Sequence, residues 1–262
     1  MPLEFAGTAL ALDQAGLEAV TTFLGIGAAE IWTVLSVETR GCGFLPDRRP
    51  AILFERHIFH RRTQGRYDAA HPDTSNARPG GYKGGAAEYD RLSAAIALDR
   101  RAALESASWG LGQIMGFNAA AAGYADAEAL VAASMASETD QLHAMAKFLV
   151  SNGLAAPLGA HDWAGFAQGY NGPAYAKNGY DANLAAAYAK FSAGPLPDLT
   201  VRAAQLYLTY LTYSPGPIDG WIGRLTRAAL EDFQNDNGLP ATGEPDAATM
   251  EALAGKIATA AP

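Results

Sequence analysis

Ile31-Trp32-Thr33-Val34-Leu35-Ser36-Val37-Glu38 is an apolar helical run that ends on a carboxylate, and it passes at once into a glycine-broken turn, Thr39-Arg40-Gly41-Cys42-Gly43-Phe44. Glu38 therefore stands at the mouth of an apolar helix, where water is scarce. Desolvation disfavours the charged form of a carboxyl group and raises its pKa, so the group can hold a proton near neutrality. A general acid needs that property. A solvated helix-end glutamate is the ordinary alternative, and the rest of the chain decides between the two.

Working outward, Asp13 can cap a helix through Phe23 that Gly25 and Gly27 break. Downstream, Arg49 to Phe59 contains Ala51-Ile52-Leu53-Phe54-Glu55-Arg56-His57-Ile58-Phe59, whose β-branched and aromatic residues suit a strand. Alternation along that strand places Leu53, Glu55, His57 and Phe59 on one face. Residues 63–85, rich in Gly, Pro, Asp and Asn, read as loops. Helical patterns return from about Glu88 to Leu104. Ser137 reads as the N-cap of a helix ending near Gly153, with Glu138 and Asp140 in its first turn and Lys147 late in it. Further helices are expected near 160–169 and 180–191. The expected fold class is mainly α: long helices around a small β region, followed by a small three-helix bundle.

The Gly/Pro linker Phe191-Ser192-Ala193-Gly194-Pro195-Leu196-Pro197-Asp198 divides the chain into a domain over 1–194 and a linker plus second domain over 195–262. In the second, Val201, Ala204, Gln205, Leu208 and Leu211 make one helical face, and Thr226, Ala229, Leu230 and Phe233 another. Gly220, Gly223, Gly238 and Gly243 punctuate the turns.

The 262 residues carry a net charge of −8, which argues against general nucleic-acid binding. Residues 38–101 depart from that balance, with twelve Lys/Arg against eight Asp/Glu. A basic surface around Glu38 would suit an anionic polymer; solvated faces and structural ion pairs are the alternative. No apolar run approaches the ~20 residues of a membrane span, so no membrane insertion is expected. The N-terminus lacks a basic region followed by an apolar core, so no secretory signal is expected. The single cysteine, Cys42, excludes an internal disulfide and is compatible with a reducing cytoplasm.

Three segments, in order, resemble the lysozyme superfamily. Ser36 to Phe44 looks like the "Glu-Ser/Thr-x-Gly" catalytic helix end of goose-type lysozymes and lytic transglycosylases. Ser106-Ala107-Ser108-Trp109-Gly110-Leu111-Gly112-Gln113-Ile114-Met115-Gly116 is similar to the "Gly-Leu-x-Gln-Ile-Met" segment lining the same cleft. Phe166-Ala167-Gln168-Gly169-Tyr170-Asn171-Gly172 resembles "Ala-Tyr-Asn-Ala-Gly". With Pro50 to Phe59, these segments resemble most closely the N-acetylmuramidase family of modular phage endolysins, over most of residues 20–191. Asp219-Gly220-Trp221-Ile222-Gly223-Arg224-Leu225-Thr226-Arg227-Ala228-Ala229-Leu230-Glu231-Asp232-Phe233-Gln234 resembles the peptidoglycan-binding pattern D-G-x-x-G-x-x-T-x-x-A-L-x-x-F-Q, and the match continues to Leu253.

The resemblance implies a lysozyme-like catalytic domain. It implies a hydrolase of the bond between N-acetylmuramic acid and N-acetylglucosamine, held on bacterial peptidoglycan by its C-terminal module. Such a protein, a monomer by expectation, accumulates in the bacterial host cytoplasm until released onto the wall and periplasm. A lytic transglycosylase and a non-catalytic wall-binding phage component are the rival readings.

Glycoside hydrolysis uses a proton donor and a second carboxylate. Glu38 is the donor candidate and Glu55 the preferred partner, because a charge in so apolar a run must be paired or functional. An ion pair with Arg48 or Arg56 is its structural alternative. Asp47 and Glu105 are further candidates for the second carboxylate. Ser108 and Gln113 suit hydrogen bonding to a sugar. Tyr170 is the aromatic candidate near the scissile bond, and Asn171 offers both a donor and an acceptor to an N-acetyl group. Trp109 reads as core. Cys42 in its Gly-flanked turn reads as a packing residue rather than a nucleophile. His57 and His60, three apart on a strand, point to opposite faces and are poorly placed to share a zinc ion. No P-loop or Rossmann glycine pattern appears, and no metal or cofactor is expected.

Overall fold

The long helices start where a short polar side chain closes the first turn. In the computed structural model, which describes residues 3–38, 41–173 and 175–259, Asp13 Oδ1 accepts from Gly16 N at 2.7 Å and opens α1 (Gln14–Leu24). Gly25, at φ 67°, ends that helix. The chain then bends by 102° into α2 (Ala28–Glu38), with Ile31, Trp32, Val34 and Leu35 buried.

The β region is small. Strands β1 (Ile52–Phe54), β2 (Ala107–Trp109) and β3 (Ile114–Met115) form one antiparallel sheet in that order, with Leu53 opposite Ser108 and Ser108 opposite Met115. The strand expected through Phe59 stops at Phe54, and α3 (Arg56–Arg62) follows. The reason lies far along the chain. Glu88 accepts the Phe54 N–H and Arg91 donates to the Phe54 carbonyl, so both backbone groups of Phe54 are held by side chains. Glu55 then accepts from Ile58 and Phe59 N–H and becomes the helix N-cap. Phe59 thereby turns inward against Phe54 and Tyr67.

The helical stretch expected over 88–104 is two helices, α4 (Glu88–Ile96) and α5 (Arg100–Glu105), because Asp99 caps the second by accepting from Ala102 N. Helix α6 (Ala127–Ala136) starts on Asp126 and was not expected from the sequence. Ser137 caps α7 (Glu138–Ser151) as expected. Then come α8 (Ala155–Gly159), α9 (Trp163–Asn171) and α10 (Tyr180–Ala193). Helix α2 packs along α10, and α1 along α7. One core gathers Ile31, Val34, Leu35, Leu142, Met145 and Phe166. A second, beneath the sheet, gathers Phe54, Phe59, Tyr89, Leu92, Leu104 and Trp109.

Helices α11 (Leu199–Tyr210), α12 (Arg224–Asp236) and α13 (Ala247–Thr259) enclose a separate core of Ala204, Leu208, Leu230, Phe233 and Leu253. Two buried glutamines organise its loops. Gln205 accepts the N–H groups of Asp219 and Gly220 and donates toward Trp221 O and Thr226 Oγ1. Gln234 accepts from Gly243 N and donates toward Glu244 O and Thr249 Oγ1. Long irregular loops are tolerated there because their backbone groups find these partners. An apolar seam of Ala9, Ala11, Phe44 and Leu206 joins this unit to the larger one. Among the described residues, no single helix is long and apolar enough to cross a membrane.

Candidate active site

Helix α2 delivers Glu38 as its last residue. The Glu38 side chain, with Thr39 and Arg40, lies outside the described residues, so the Glu38–Glu55 carboxyl separation does too. The turn resumes at Gly41, whose φ of 88° is in the left-handed region that favours glycine. Cys42 and Phe44 close it: the Phe44 N–H and the Cys42 thiol bond each other's residue at 3.4 Å. Burial, reinforced by the negative Glu138, pushes the Cys42 thiol up to about 12. It stays protonated at neutral pH, which agrees with a packing role.

A cleft of about 430 Å³ opens between this turn and the sheet, bordered by Cys42, Phe44, Leu53, Gly85, Gly110 and Gln113. Gln113 takes a left-handed φ of 47°. Its amide donates to Ala51 O and Gly110 O and its oxygen accepts from the Ser108 hydroxyl at 2.8 Å. Gln113 thus borders the cleft in a locked orientation, while buried Ser108 acts behind it. Tyr170 donates to Gly112 O at 2.6 Å and stacks on Phe166, which ties α9 to the β2–β3 turn. Asn171 is the last residue of α9, half-buried, before Gly172 at φ 79°. Trp109 is core, with its indole N–H on Leu104 O.

The three candidate second carboxylates are held differently. Asp47 is forked by Arg49, with contacts of 2.6 and 2.9 Å. Glu105 pairs with Arg101 at 3.0 Å and Arg62 at 3.3 Å. Glu55, at the end of β1 two residues past the cleft-lining Leu53, accepts from the Tyr82 hydroxyl at 2.8 Å. His57 Nδ1 lies 3.0 Å from the same oxygen, at an angle that makes no hydrogen bond. Among the described residues no arginine pairs with Glu55. Arg48 instead donates to Thr8 O and Ile257 O, and Arg56 to Arg78 O and Pro79 O. Burial, then the bond to Glu55 and its charge, push the Tyr82 hydroxyl up to about 12, so Tyr82 is a neutral donor.

The expected basic surface is largely consumed by structure: Arg91 is buried on Glu88, and Arg100 joins Glu4 and Glu128. His57 and His60 sit on one helix rather than a strand, and His60 turns to Asp68 at 2.7 Å. Among the described residues no three His, Cys, Asp or Glu side chains gather to hold a metal.

Sequence reasoning missed two residues of α7. Buried Glu138 accepts the N–H of Gly43 at 2.9 Å. One turn later, buried Gln141 accepts the N–H of Leu111 at 2.6 Å and donates to Ser134 O. They peg the turn after α2 and the β2–β3 turn to a single helix. The available signal was their spacing on the same face as Leu142, Met145 and Leu149.

The N-acetylmuramidase family profile matches residues 27–192, from α2 through α10. The chain belongs to the N-acetylmuramidase family. This muramidase is a glycoside hydrolase with a lysozyme-like fold. Residues 198–253 match a putative peptidoglycan binding domain, which makes the muramidase a peptidoglycan hydrolase with a wall-binding module on α11–α13. It is similar to the crystal structure of the Burkholderia AP3 phage endolysin, at 43% identity and a TM-score of 0.65, over 70% of this chain and 71% of that one. No curated protein matches it.

Proposed function

We propose that the muramidase hydrolyses the bond between N-acetylmuramic acid and N-acetylglucosamine, with Glu38 protonating the leaving oxygen and Glu55 as the second carboxylate. The observation that carries the choice of Glu55 is its partner: a neutral tyrosine holds it, whereas arginines neutralise Asp47 and Glu105. Among the described residues no arginine neutralises Glu55, which has Tyr82 and His57 beside it, so its charge is available for a developing oxocarbenium ion or a nucleophilic water. Gln113, Tyr170 and Asn171 orient the sugar, and Ser108 supports them through Gln113. In this reading residues 1–194 form the catalytic domain, and residues 195–262 a linker and module that raise the local concentration at the next bond. The monomeric enzyme accumulates in the host cytoplasm and meets peptidoglycan after release.

Mass spectrometry of digested walls tests the bond and the course of the reaction. Reducing-end N-acetylmuramic acid is expected. Products of 1,6-anhydro type would replace hydrolysis by transglycosylation, and reducing-end N-acetylglucosamine would move the cut to the other linkage. The Glu38→Gln chain should still bind walls and fail to clear them.

A further inference from the structure

The turn after α2 is gripped from two sides, and one side belongs to the wall-binding module. Glu138, wholly buried at the start of α7, accepts the N–H groups of Gly43 (2.9 Å) and Leu12 (3.0 Å). Both of its oxygens also receive the forked guanidinium of Arg202, from the first turn of α11. Arg202 is itself 1% exposed, and its Nη2 donates to the Gly41 carbonyl at 2.6 Å. Gly41 stands three residues beyond Glu38. The module reaches the same turn again through Ile218, whose carbonyl oxygen would lie 3.0 Å from a Cβ at Gly41. A tether has no need for such an arrangement, because burying a charge pair is costly. The same seam has a further hydrogen bond, from the Tyr210 hydroxyl to Ala9 O, that involves neither Gly41 nor Glu138.

We propose that Arg202 is a positioning residue of the active site, so that the wall-binding module completes the catalytic domain as well as anchoring it. The inference rests on Glu38 as the proton donor. One guanidinium–carboxylate pair holds the Gly41 carbonyl and, through Glu138, the Gly43 N–H. The chain is thus held at Gly41 and Gly43, just beyond the end of α2, and the placement of the α2 terminus depends on that hold. Small misplacements of a catalytic group carry large rate penalties. Bond cleavage should therefore depend on the module even for a substrate too short to engage the wall.

The test uses the full chain, with kcat and KM on short soluble N-acetylglucosamine–N-acetylmuramic acid oligomers and co-sedimentation with purified walls. Arg202→Met is expected to lower kcat at least about 10-fold, with little change in KM and wild-type sedimentation. Arg202→Lys restores part of the loss, because an ammonium still neutralises Glu138 but lacks the fork that also reaches Gly41. Tyr210→Phe, which loosens the same seam but leaves the Arg202–Glu138 pair and the bond to Gly41 in place, keeps wild-type kcat. A natively folded Arg202→Met chain with wild-type kcat overturns the proposal. Should that variant not fold, the other two decide: a kcat lowered in Arg202→Lys alone supports the proposal, and an equal kcat in both overturns it. A Glu38→Gln chain as active as the wild type sinks the donor assignment. An inactive Glu38→Gln beside an unchanged Arg202→Met sinks only the role of Arg202.

Discussion

The Tyr82 hydroxyl donates to Glu55 Oε2 at 2.8 Å, and this bond sets Glu55 apart from the other carboxylates near the cleft. With its ionisation pushed up to about 12, Tyr82 remains a donor wherever bacterial walls are digested. It orients the carboxylate without cancelling its charge. Glu55→Gln is expected to lower kcat by roughly 10²-fold or more, the scale of lost acid–base participation. Tyr82→Phe should cost about 10-fold, the scale of one hydrogen bond to a charged group. Initial rates on purified walls check both. A Glu55→Gln enzyme at wild-type rate would return the second carboxylate to Asp47 or Glu105.

The arginine-held acids carry the opposite expectation. Exposed or half-exposed ion pairs contribute little to stability, and neither acid is free to act on substrate in the proposed mechanism. Asp47→Asn and Glu105→Gln should each retain kcat within about 3-fold of the wild type. A loss as large as that of Glu55→Gln in either variant would reassign the role.

Acid should weaken the fold through buried Glu138 and Glu88. Burial alone would raise the Glu138 pKa, but Arg202 and the N–H groups of Gly43 and Leu12 outweigh it and hold the pKa below 4.5. Glu88 is depressed likewise, by the N–H groups of Gly84, Lys83 and Phe54 and by Arg91, against the opposing effect of burial. A folded-state pKa below the unfolded one gives stability that is complete above the unfolded value and lost as pH falls through the folded value. Urea midpoints should thus decline below about pH 4.5. Glu138→Ala leaves Arg202 buried without its partner and should cost about 3–5 kcal/mol at neutral pH. An unfolding free energy lowered by less than a tenth of that would remove Glu138 from the account of stability.

Cys42 should be inert. Burial pushes the thiol of half-buried Cys42 up to about 12, so the reactive thiolate is scarce at pH 8. Intact-mass spectra after iodoacetamide treatment are expected to show no adduct on the native enzyme and one on the enzyme unfolded in urea. Cys42→Ala should clear walls at near wild-type rate. Rapid native alkylation with loss of activity would reopen the thiol as a participant.

Local patterns made much of this protein legible. Asp13 and Ser137 cap the helices expected of them, because a short polar side chain answers N–H groups only a few residues away. The α2 run ending on Glu38 and the Trp109 core position followed from apolar patterning, and the glycines and Phe233-Gln234 of the module from its motif. The switch from strand to helix at Glu55 was not legible. It depends on Glu88 and Arg91, which take the backbone groups of Phe54 from 34 and 37 residues away.

The sequence by itself determined the family, the module and the residue that ends α2, since each is written in contiguous residues. Tertiary structure decided which acids have arginine partners, and so which carboxylate is left to a tyrosine. It also decided that Glu138, a first-turn acid by sequence, is a buried anchor. Its partner Arg202 lies 64 residues further on in another unit, and the energy of a charge depends on what folding brings beside it.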